Sequence, residues 1–309
     1  MSTSAAPLPN RSVRSRFPRP DLPYRSQLIR QLILLFITFI TLFPIVWIVS
    51  LSIDPSGLAR PTELRLIPAG ASLDAYRRVM AQPTNNPITF AQLAWNSFML
   101  ATGVAFFSVG IGVSAAYVFS RFKIRGQRFL MLAVLTVLMM PSIGSIAPLF
   151  VLLNKIRIGV GPADTLRNSL YGVGLAIISG GLPFAIWNLK GYLDTIPRDL
   201  EEAARIDGAT INQTFLRIIL PLATPALAVT AFLGFLSGWT EFALSWQFLN
   251  KVQNFTLSMA LWNMTGQYAG QVPWSNFAAM ALLVATPVSV VYLMLQKYIV
   301  SGLTIGSVK

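Results

Sequence analysis

Residues 31–53 read QLILLFITFITLFPIVWIVSLSI and contain no charged side chain. A helix of this length rises about 35 Å at 1.5 Å per residue, which is enough to cross the roughly 30 Å hydrocarbon core of a bilayer. The whole chain is 54% hydrophobic and only 11% charged, so too few polar residues remain to cover a surface that faces water. The sequence therefore predicts an integral membrane protein.

Apolar stretches of similar length recur along the 309 residues, and we expect six transmembrane helices in an all-α fold. The six stretches lie near Gln31–Ile53, Leu93–Phe119, Phe129–Leu153, Leu170–Leu189, Leu222–Leu249 and Phe277–Gln296. Residues 1–30 contain five Pro and six Arg and are predicted to form a disordered basic tail. Residues 31–309 then form the transmembrane domain, whose core we place at about residues 92–298.

The distribution of Lys and Arg predicts the orientation of the chain, because basic residues favour cytoplasmic loops. If the N-terminus lies inside, sixteen basic residues fall on the inner side and eight on the outer side. Both termini are therefore expected in the cytoplasm. The same rule explains the Arg-rich tail as an anchor of topology, so the net charge of +13 gives no reason to expect nucleic-acid binding.

Cysteine and histidine are absent from the chain. Their absence excludes disulfides, thiolate and imidazole metal sites, and the commonest catalytic nucleophiles and bases, so we expect no metal site and no enzymatic activity. The chain also lacks the G-x-x-x-x-G-K-[ST] loop that binds nucleotide phosphates. Any ATP that drives its function must therefore bind to a different subunit.

Glu241 is the only acidic residue well inside a predicted span. Because a carboxylate inside a membrane is costly, we treat Glu241 as a candidate for the translocation pathway, facing the interior of the helix bundle. The alternative is that Glu241 is protonated, or hydrogen-bonded to a neighbouring helix, and serves packing alone. One carboxylate does not make a proton relay, which disfavours an ion-coupled carrier.

The loop between the fourth and fifth spans, residues 191–221, holds five of the eleven acidic residues of the chain. Its pattern predicts two short helices. Gly208 is expected to end the first in a left-handed conformation, and Thr210 with Gln213 to begin the second through a capping box. An apolar stripe then recurs at helical spacing and consists of Ile211, Phe215, Ile218 and Ile219.

Two interpretations fit this helix-turn-helix. Its apolar stripe could dock into a groove on a soluble partner, or it could lie on the membrane surface as an amphipathic hairpin. A hairpin on anionic lipid should be rich in Lys and Arg, whereas this loop sets five acids against Arg198, Arg205 and Arg217. The charge balance favours the protein partner.

The same loop contains a spaced motif: Glu202-Ala203-Ala204, three residues, Gly208, nine residues, Ile218, one residue, and Leu220-Pro221. This motif resembles the EAA signature of permease subunits of bacterial ABC importers. Other stretches are similar to the maltose-type (MalG-like) family of carbohydrate-uptake permeases, namely Trp95-Asn96-Ser97, Ala116-Tyr117-Val118-Phe119-Ser120-Arg121 and the ending Gly302–Lys309. The resemblance covers roughly residues 31 to 309.

The resemblance implies a non-catalytic, multi-pass permease subunit of the bacterial inner (plasma) membrane. Its implied partners are a second, MalF-like permease, two copies of an ATPase subunit that bind ATP and Mg, and an extracytoplasmic sugar-binding protein; this chain itself holds no cofactor. In that family, the loop equivalent to residues 191–221 is the coupling loop, which sits in a cleft of the ATPase. The residues implied in coupling are Glu202, Ala203, Ala204, Asp207, Gly208, Ile218, Leu220 and Pro221.

The predicted outer segment Asn250–Asn276 holds no acid and one base but is rich in amides and aromatic rings. Such groups suit sugar rings or a protein that carries them, while the alternative is an interfacial belt of Trp and Tyr, to which we assign Trp274. In MalG-like permeases the corresponding loop reaches into the binding protein. The resemblance therefore implies that contact for Asn263, Gln267, Tyr268 and Gln271.

Together these features predict a permease subunit of an ATP-driven, binding-protein-dependent importer of sugars, with maltose-type di- or oligosaccharides as the substrate class. The alternative from a different class is a stand-alone, ion-coupled secondary carrier. The acidic coupling loop and the lack of a relay of ionisable groups favour the importer.

Overall fold

The computed structural model describes residues 24–56, 66–140, 142–265 and 272–305, and most of them are helical. In chain order the helices are α1 (Tyr24–Ser52), α2 (Asp74–Ala81), α3 (Phe90–Arg121), α4 (Gln127–Met139), α5 (Ile146–Lys155), α6 (Leu170–Leu193), α7 (Asp199–Ile206), α8 (Ile211–Thr214), α9 (Leu220–Leu222), α10 (Thr224–Trp239), α11 (Ala243–Phe248), α12 (Leu257–Asn263) and α13 (Trp274–Ile305). These ranges contain no β-strand, and one isolated bridge joins Arg157 to Thr165. The all-α prediction is confirmed.

The chain divides into two compact units, residues 1–47 and 48–309. The described part of the first unit belongs to α1, whose apolar side chains are largely exposed and so present a surface suited to lipid. Because α1 begins at Tyr24, residues 24–30 are helical, and the prediction that they belong to a disordered tail is wrong. These seven residues contain no Gly or Pro, so nothing stops the helix from extending. The rest of the predicted tail lies outside the described residues.

Four helices in the described ranges are long and apolar enough to cross a membrane by themselves: α1, α3, α6 and α13. They match the first, second, fourth and sixth predicted spans. The third predicted span falls in a pair of helices that is bent by 96° (Gln127–Met139 with Ile143–Lys155). The fifth, Leu222–Leu249, includes α10 and α11, and α10 forms a pair bent by 77° with the preceding segment Ile211–Leu222. The number of spans is thus four, or six if each bent pair counts as one.

Local chemistry explains why the third and fifth predicted spans are not straight helices. Met140 is extended, with φ −74° and ψ 135°, as expected for a residue that precedes a proline. Helix α10 ends at Trp239, so its 16 residues are only about 24 Å long. After it, the carboxylate of Glu241 accepts a hydrogen bond from the backbone N–H of Leu244, which favours a break over continued helix.

Helix α3 packs along both α6 and α10 in the second unit. Small residues allow α3 and α10 to approach closely: a Cβ atom added to Gly238 would lie 2.7 Å from the Cα atom of Ala101, and one added to Gly234 would lie 3.0 Å from that of Ala105. Such pairs of small residues are typical of helix packing in membranes, where van der Waals contact replaces the hydrophobic effect as the driving force. Helix α3 is therefore held tightly on two sides.

An apolar cluster fixes the predicted coupling loop to this bundle. It joins α3, α6, the segment after α6 and the helices around α9, and its buried members are Val113, Ala116, Tyr117, Leu189, Leu193, Ile196, Ile219, Ala223 and Ala226. Because residues of the loop itself belong to the cluster, the loop is part of the folded unit.

Candidate functional site

Gly208 produces the turn of the helix-turn-helix. Its φ of +82° lies in the left-handed region, where a side chain would be strained. The N–H of Gly208 donates to the carbonyl of Arg205 (3.0 Å), and the N–H of Ala209 donates to the carbonyl of Ala204 (2.9 Å). These two bonds form a Schellman motif, which satisfies the last carbonyls of α7. The predicted left-handed role of Gly208 is confirmed.

The second helix of the loop begins at Thr210 with the predicted capping box. The backbone N–H of Thr210 donates to Oε1 of Gln213 (2.8 Å), and the N–H of Gln213 donates to Oγ1 of Thr210 (3.3 Å). The helix then widens into a π-helical turn over Phe215–Ile219 and continues to Leu222. The turn and both of its helices are thus fixed by hydrogen bonds local to the sequence.

The candidate coupling residues differ in how far their side chains are exposed. The exposed residues are Glu202, Ala203, Asp207, Gly208 and Pro221; Ala204 is buried, and Ile218 and Leu220 are half-buried. Ile206, which the motif does not specify, is 86% exposed. It shares one face of α7 with Glu202, Ala203 and Asp207, because residues one turn apart lie side by side. The accessible face of α7 thus combines two carboxylates with small and apolar surface.

The apolar stripe predicted for the second helix is not a free docking surface. Ile219 is fully buried, and the ring of Phe215 is half-buried with its centroid 4.7 Å from that of Tyr117. Of the four stripe residues, only Ile211 is exposed. Helical periodicity identifies an apolar face but not what covers it, and here the protein's own α3 and α6 cover much of it.

A buried ion pair ties α7 to the end of α3. The guanidinium of Arg121 pairs through Nε with Oε1 of Glu201, and both side chains are only 5% exposed. Tyr117 Oη lies 3.1 Å from the other carboxylate oxygen and donates a hydrogen bond to it. Arg121 also donates from Nη2 to the carbonyl of Ile196 (3.0 Å). Each charged group in this contact is therefore paired, as a buried charge must be.

Further hydrogen bonds join the same two parts of the chain. Arg198 donates from Nη2 to the carbonyl of Ser120 (2.9 Å), and the Ser120 hydroxyl donates to Asp194 (2.6 Å). Lys190 pairs with the same aspartate at 2.6 Å. The segment that precedes α7 is thus bound to the end of α3 through both its side chains and its backbone.

Sequence reasoning missed Glu201 as a functional residue and noticed Arg121 only as a basic residue and part of a family-like stretch. Neither composition nor motif spacing distinguishes the buried glutamate, Glu201, from the exposed glutamate that follows it, Glu202. The quoted stretch Ala116–Arg121 did carry a signal, because it contains Tyr117, Ser120 and Arg121, which all contact the loop.

Glu241 does not lie within a helix, and the prediction that placed it well inside a continuous span is wrong. It is half-buried in the interval between α10 and α11, where its Oε1 accepts a hydrogen bond from the N–H of Leu244 (2.6 Å). The next residue, Phe242, packs its ring near those of Trp246 (5.7 Å) and Trp262 (5.0 Å), both of which are about half exposed. The break therefore holds one acidic residue, and the residue after it belongs to a group of partly accessible aromatic rings.

The other end of α3 holds the segment that leads into α12. Asn96 is buried, and its Nδ2 donates to the carbonyls of Gln253 (2.6 Å) and Phe255 (2.8 Å). Ser97 accepts a hydrogen bond from the N–H of Leu257 (2.8 Å). Helix α12 ends at Asn263, which is half-buried. The remaining binding-protein contact candidates, Gln267, Tyr268 and Gln271, lie outside the described residues.

An ion pair lies at this same end, outside the spanning helices. Lys251 Nζ contacts Oδ1 of Asp164, and the N–H of Gly161 donates to the other carboxylate oxygen (2.8 Å). The hydrogen bond from Lys251, followed by that from Gly161 and the positive charge of Lys251, lowers the pKa of Asp164. Asp164 is therefore held in its ionised form.

The described residues contain no group of three or more acidic, His or Cys side chains able to hold a metal ion. The site that the structure assembles is a contact surface supported by a buried network.

Comparison with known proteins identifies a family and several relatives. Residues 108–305 match the family described as binding-protein-dependent transport system inner membrane component. The chain is 33% identical over 286 residues to the galactooligosaccharides transport system permease protein GanQ of Bacillus subtilis (93% of this chain, 96% of the relative). It is 34% identical over 268 residues to the trehalose transport system permease protein SugB of Mycobacterium tuberculosis (87% and 92%). It is 33% identical over 291 residues to the trehalose/maltose transport system permease protein MalG of Thermococcus litoralis (92% and 99%).

Solved structures share the fold. A chain of a bacterial ABC transporter involved in the import of the acidic polysaccharide alginate superposes with a TM-score of 0.71 at 22% identity, covering 91% of this chain and 99% of that one. A chain of the bacterial alginate transporter in complex with a periplasmic protein bound to an alginate pentasaccharide gives 0.60 at 15% identity, covering 88% and 93%.

Proposed function

Because this chain belongs to the family of binding-protein-dependent transport system inner membrane components, we propose that it is the transmembrane permease subunit of an ATP-driven importer of sugars. It is a non-catalytic subunit, and ATP hydrolysis belongs to a separate ATPase. The observation that carries the proposal is the exposed face of α7 on a loop that a buried ion pair fixes to a membrane helix.

The exposed face of α7 is the proposed contact with the ATPase. Glu202 and Asp207 offer charge, while Ala203 allows close approach and Ile206 supplies an apolar contact that is 86% exposed in this chain. Gly208 sets the direction of the second helix. Helix α7 is a short helix whose C-terminus is closed by the Schellman motif and whose side chains on one face are fixed by the buried ion pair. It is suited to enter a groove on a partner, because little further ordering is needed on binding.

The buried pair is the proposed route by which movement of the ATPase reaches the membrane. When the partner displaces α7, Glu201 carries Arg121 and therefore the end of α3 with it. Helix α3 contacts α10 closely at Gly238, so displacement of one helix requires the other to follow. At its far end α3 holds the segment before α12 through Asn96. One helix thus connects the proposed ATPase contact with the proposed contact of the binding protein.

We propose oligosaccharides as the substrate class and a periplasmic binding protein as the partner that delivers them. Permeases for galactooligosaccharides, trehalose and trehalose/maltose are the similar proteins, and the alginate importer with a periplasmic protein shares the fold. Trp246 and Trp262, whose rings lie near that of Phe242, are about half exposed and offer surfaces on which a sugar ring could stack. We place the chain with both termini in the cytoplasm, paired with a MalF-like permease and two ATPase copies.

Reconstitution tests the proposal. The chain is incorporated into liposomes alone, and also together with a MalF-like permease, an ATPase and a sugar-binding protein of the same family of importers. Labelled trehalose, maltose and galactooligosaccharides are offered with ATP inside the liposomes or with an ion gradient across them. We expect uptake only from the full set and only with ATP. Accumulation by the chain alone, driven by an ion gradient, would establish the secondary carrier instead.

A further inference from the structure

Two adjoining cavities of opposite character lie between α4, α6 and α10, at the end of the bundle where α7 is attached. The first, of about 660 Å³, is lined by the cationic side chains of Lys123, Arg128 and Lys190 together with Gln127. The second, of about 510 Å³, is mainly apolar and is lined by Trp187, Tyr192, Pro225 and Val229. Met131 and Lys190 line both cavities, so one molecule can occupy the two together.

The positive charge of the first cavity is largely uncompensated. Neither Lys123 nor Arg128 forms a hydrogen bond or an ion pair with another described residue. Asp194 is the one carboxylate among the lining residues, and it is occupied by Lys190 and by the hydroxyl of Ser120, each at 2.6 Å. Helix α4 also begins here without a side-chain cap, so the positive end of its dipole adds to the field.

The surroundings distinguish a lipid from a soluble anion. Helix α4 has no buried residue, and the apolar residues that follow Arg128 and Met131 in the sequence are exposed, with Phe129 at 74% and Leu132 at 61%. A soluble anion would use the cations but would leave the apolar cavity unfilled. A phospholipid would place its phosphate among the cations and its glycerol and upper acyl chain against Met131 and Trp187.

We propose that these two cavities form one binding site for an anionic phospholipid, with the headgroup phosphate at Lys123, Arg128 and Lys190 and an acyl chain in the apolar cavity. Basic pockets between membrane helices are suited to anionic headgroups because each cation near the membrane surface contributes attraction. The site goes beyond the proposed function and does not depend on it, since lipid binding is independent of the transported solute. A lipid seated here would contact Lys190 and so the segment that leads to α7.

The test measures lipid that remains bound to the purified full-length chain, by native mass spectrometry in detergent. The probes are dioleoyl phosphatidylglycerol and dioleoyl phosphatidylcholine. We expect retention of the phosphatidylglycerol only, and about five-fold weaker retention in each of the variants Lys123→Gln and Arg128→Gln. The matched control is Arg125→Gln, because Arg125 lies in the same turn and has the same charge but does not line the cavity. It should retain the lipid as the parent does.

Several results would overturn the site. Equal losses in all three variants would indicate diffuse attraction of lipid to a basic surface, and equal retention of the two phospholipids would remove the role of charge. Displacement of the lipid by millimolar inorganic phosphate would indicate a site for soluble anions. Loss of lipid when the purified ATPase is added would indicate that the three cationic side chains bind the ATPase and not a lipid.

A second measurement locates the lipid directly. It uses only the parent chain, so its result does not depend on whether a variant folds. Phosphatidylglycerol with a photoactivatable group on its acyl chain is cross-linked to the parent chain, and the labelled peptides are identified. We expect label on the peptides that contain Met131 and Val229. Label confined to other helices would contradict the site.

Discussion

Arg121 and Glu201, eighty residues apart, form an ion pair in which each side chain is 5% exposed. Within α7 the residues after Glu201 have different surroundings: Glu202 is exposed on the outer face, whereas Ala204, one turn after Glu201, is buried with it. The residue that holds the loop and the residue whose side chain is accessible to a partner are therefore consecutive in the chain and lie on different faces of the helix. This arrangement gives opposite expectations for two adjacent glutamates.

Removing the buried charge should destabilise the protein. Glu201→Gln leaves the guanidinium of Arg121 buried without a counter-charge, which typically costs about 3–5 kcal/mol. We expect a corresponding loss in the free energy of unfolding of the purified chain in mixed micelles. The paired replacement Arg121→Met with Glu201→Leu should recover much of that loss, because it leaves no unpaired charge.

Glu202→Gln is the matched control for this prediction, because the same chemical change occurs on an exposed side chain one residue away. It should change the free energy of unfolding by less than about 0.5 kcal/mol while weakening co-purification of the ATPase. Equal stability losses at positions 201 and 202 would refute the assignment of separate roles.

Gly208→Ala should impair coupling because alanine disfavours the left-handed conformation by about 1–2 kcal/mol. The second helix would then leave α7 at a different angle, so we expect reduced ATP-dependent uptake with normal insertion into the membrane. Gly191→Ala is the matched control: an added Cβ meets no atom within 4 Å at either position, but only Gly208 has a positive φ. Normal uptake by the Gly208 variant, with undiminished ATPase binding, would contradict a coupling role for the turn.

Glu241→Gln should insert and assemble normally, because the amide oxygen of glutamine can accept the same hydrogen bond from Leu244. If the charge of Glu241 lies beside the translocation pathway, uptake or the basal ATPase rate of the assembled transporter should change. Glu241→Ala, which loses the acceptor as well, should also lower stability, by about 1 kcal/mol. If the Gln variant transports as fast as the parent across a range of pH, Glu241 serves only as a hydrogen-bond acceptor for the backbone and has no role in the pathway.

The ion pair of Asp164 with Lys251 predicts a pH dependence outside the membrane. Since the folded state lowers the pKa of Asp164, its stabilising contribution is complete above the ordinary aspartate pKa and is lost as the pH falls through the lower, folded value. Lys251→Gln should raise that folded pKa towards the ordinary value, so the stabilising contribution should be smaller and its loss should be complete at a higher pH. Hydrogen exchange of the segment that contains Arg157 and Thr165 measures this. Identical pH profiles for parent and variant would show that the pair does not hold the segment.

The sequence alone determined the membrane class, the positions of four long helices and the turn at Gly208. These properties depend on local rules: span length and apolarity follow from bilayer thickness, and the left-handed Gly208 and the Thr210–Gln213 capping box are local hydrogen-bonded structures. The family resemblance was available from spacing for the same reason, since the motif lies within one continuous loop.

Only the tertiary structure decided which faces are covered. Ile219 and Ile211 belong to one apolar stripe in the sequence, yet the first is buried against α3 and α6 and the second is exposed. Glu201 and Glu202 are chemically identical neighbours, and a distant arginine, Arg121, makes one of them structural. Burial and charge pairing arise between segments far apart in the chain, so no local pattern contains them.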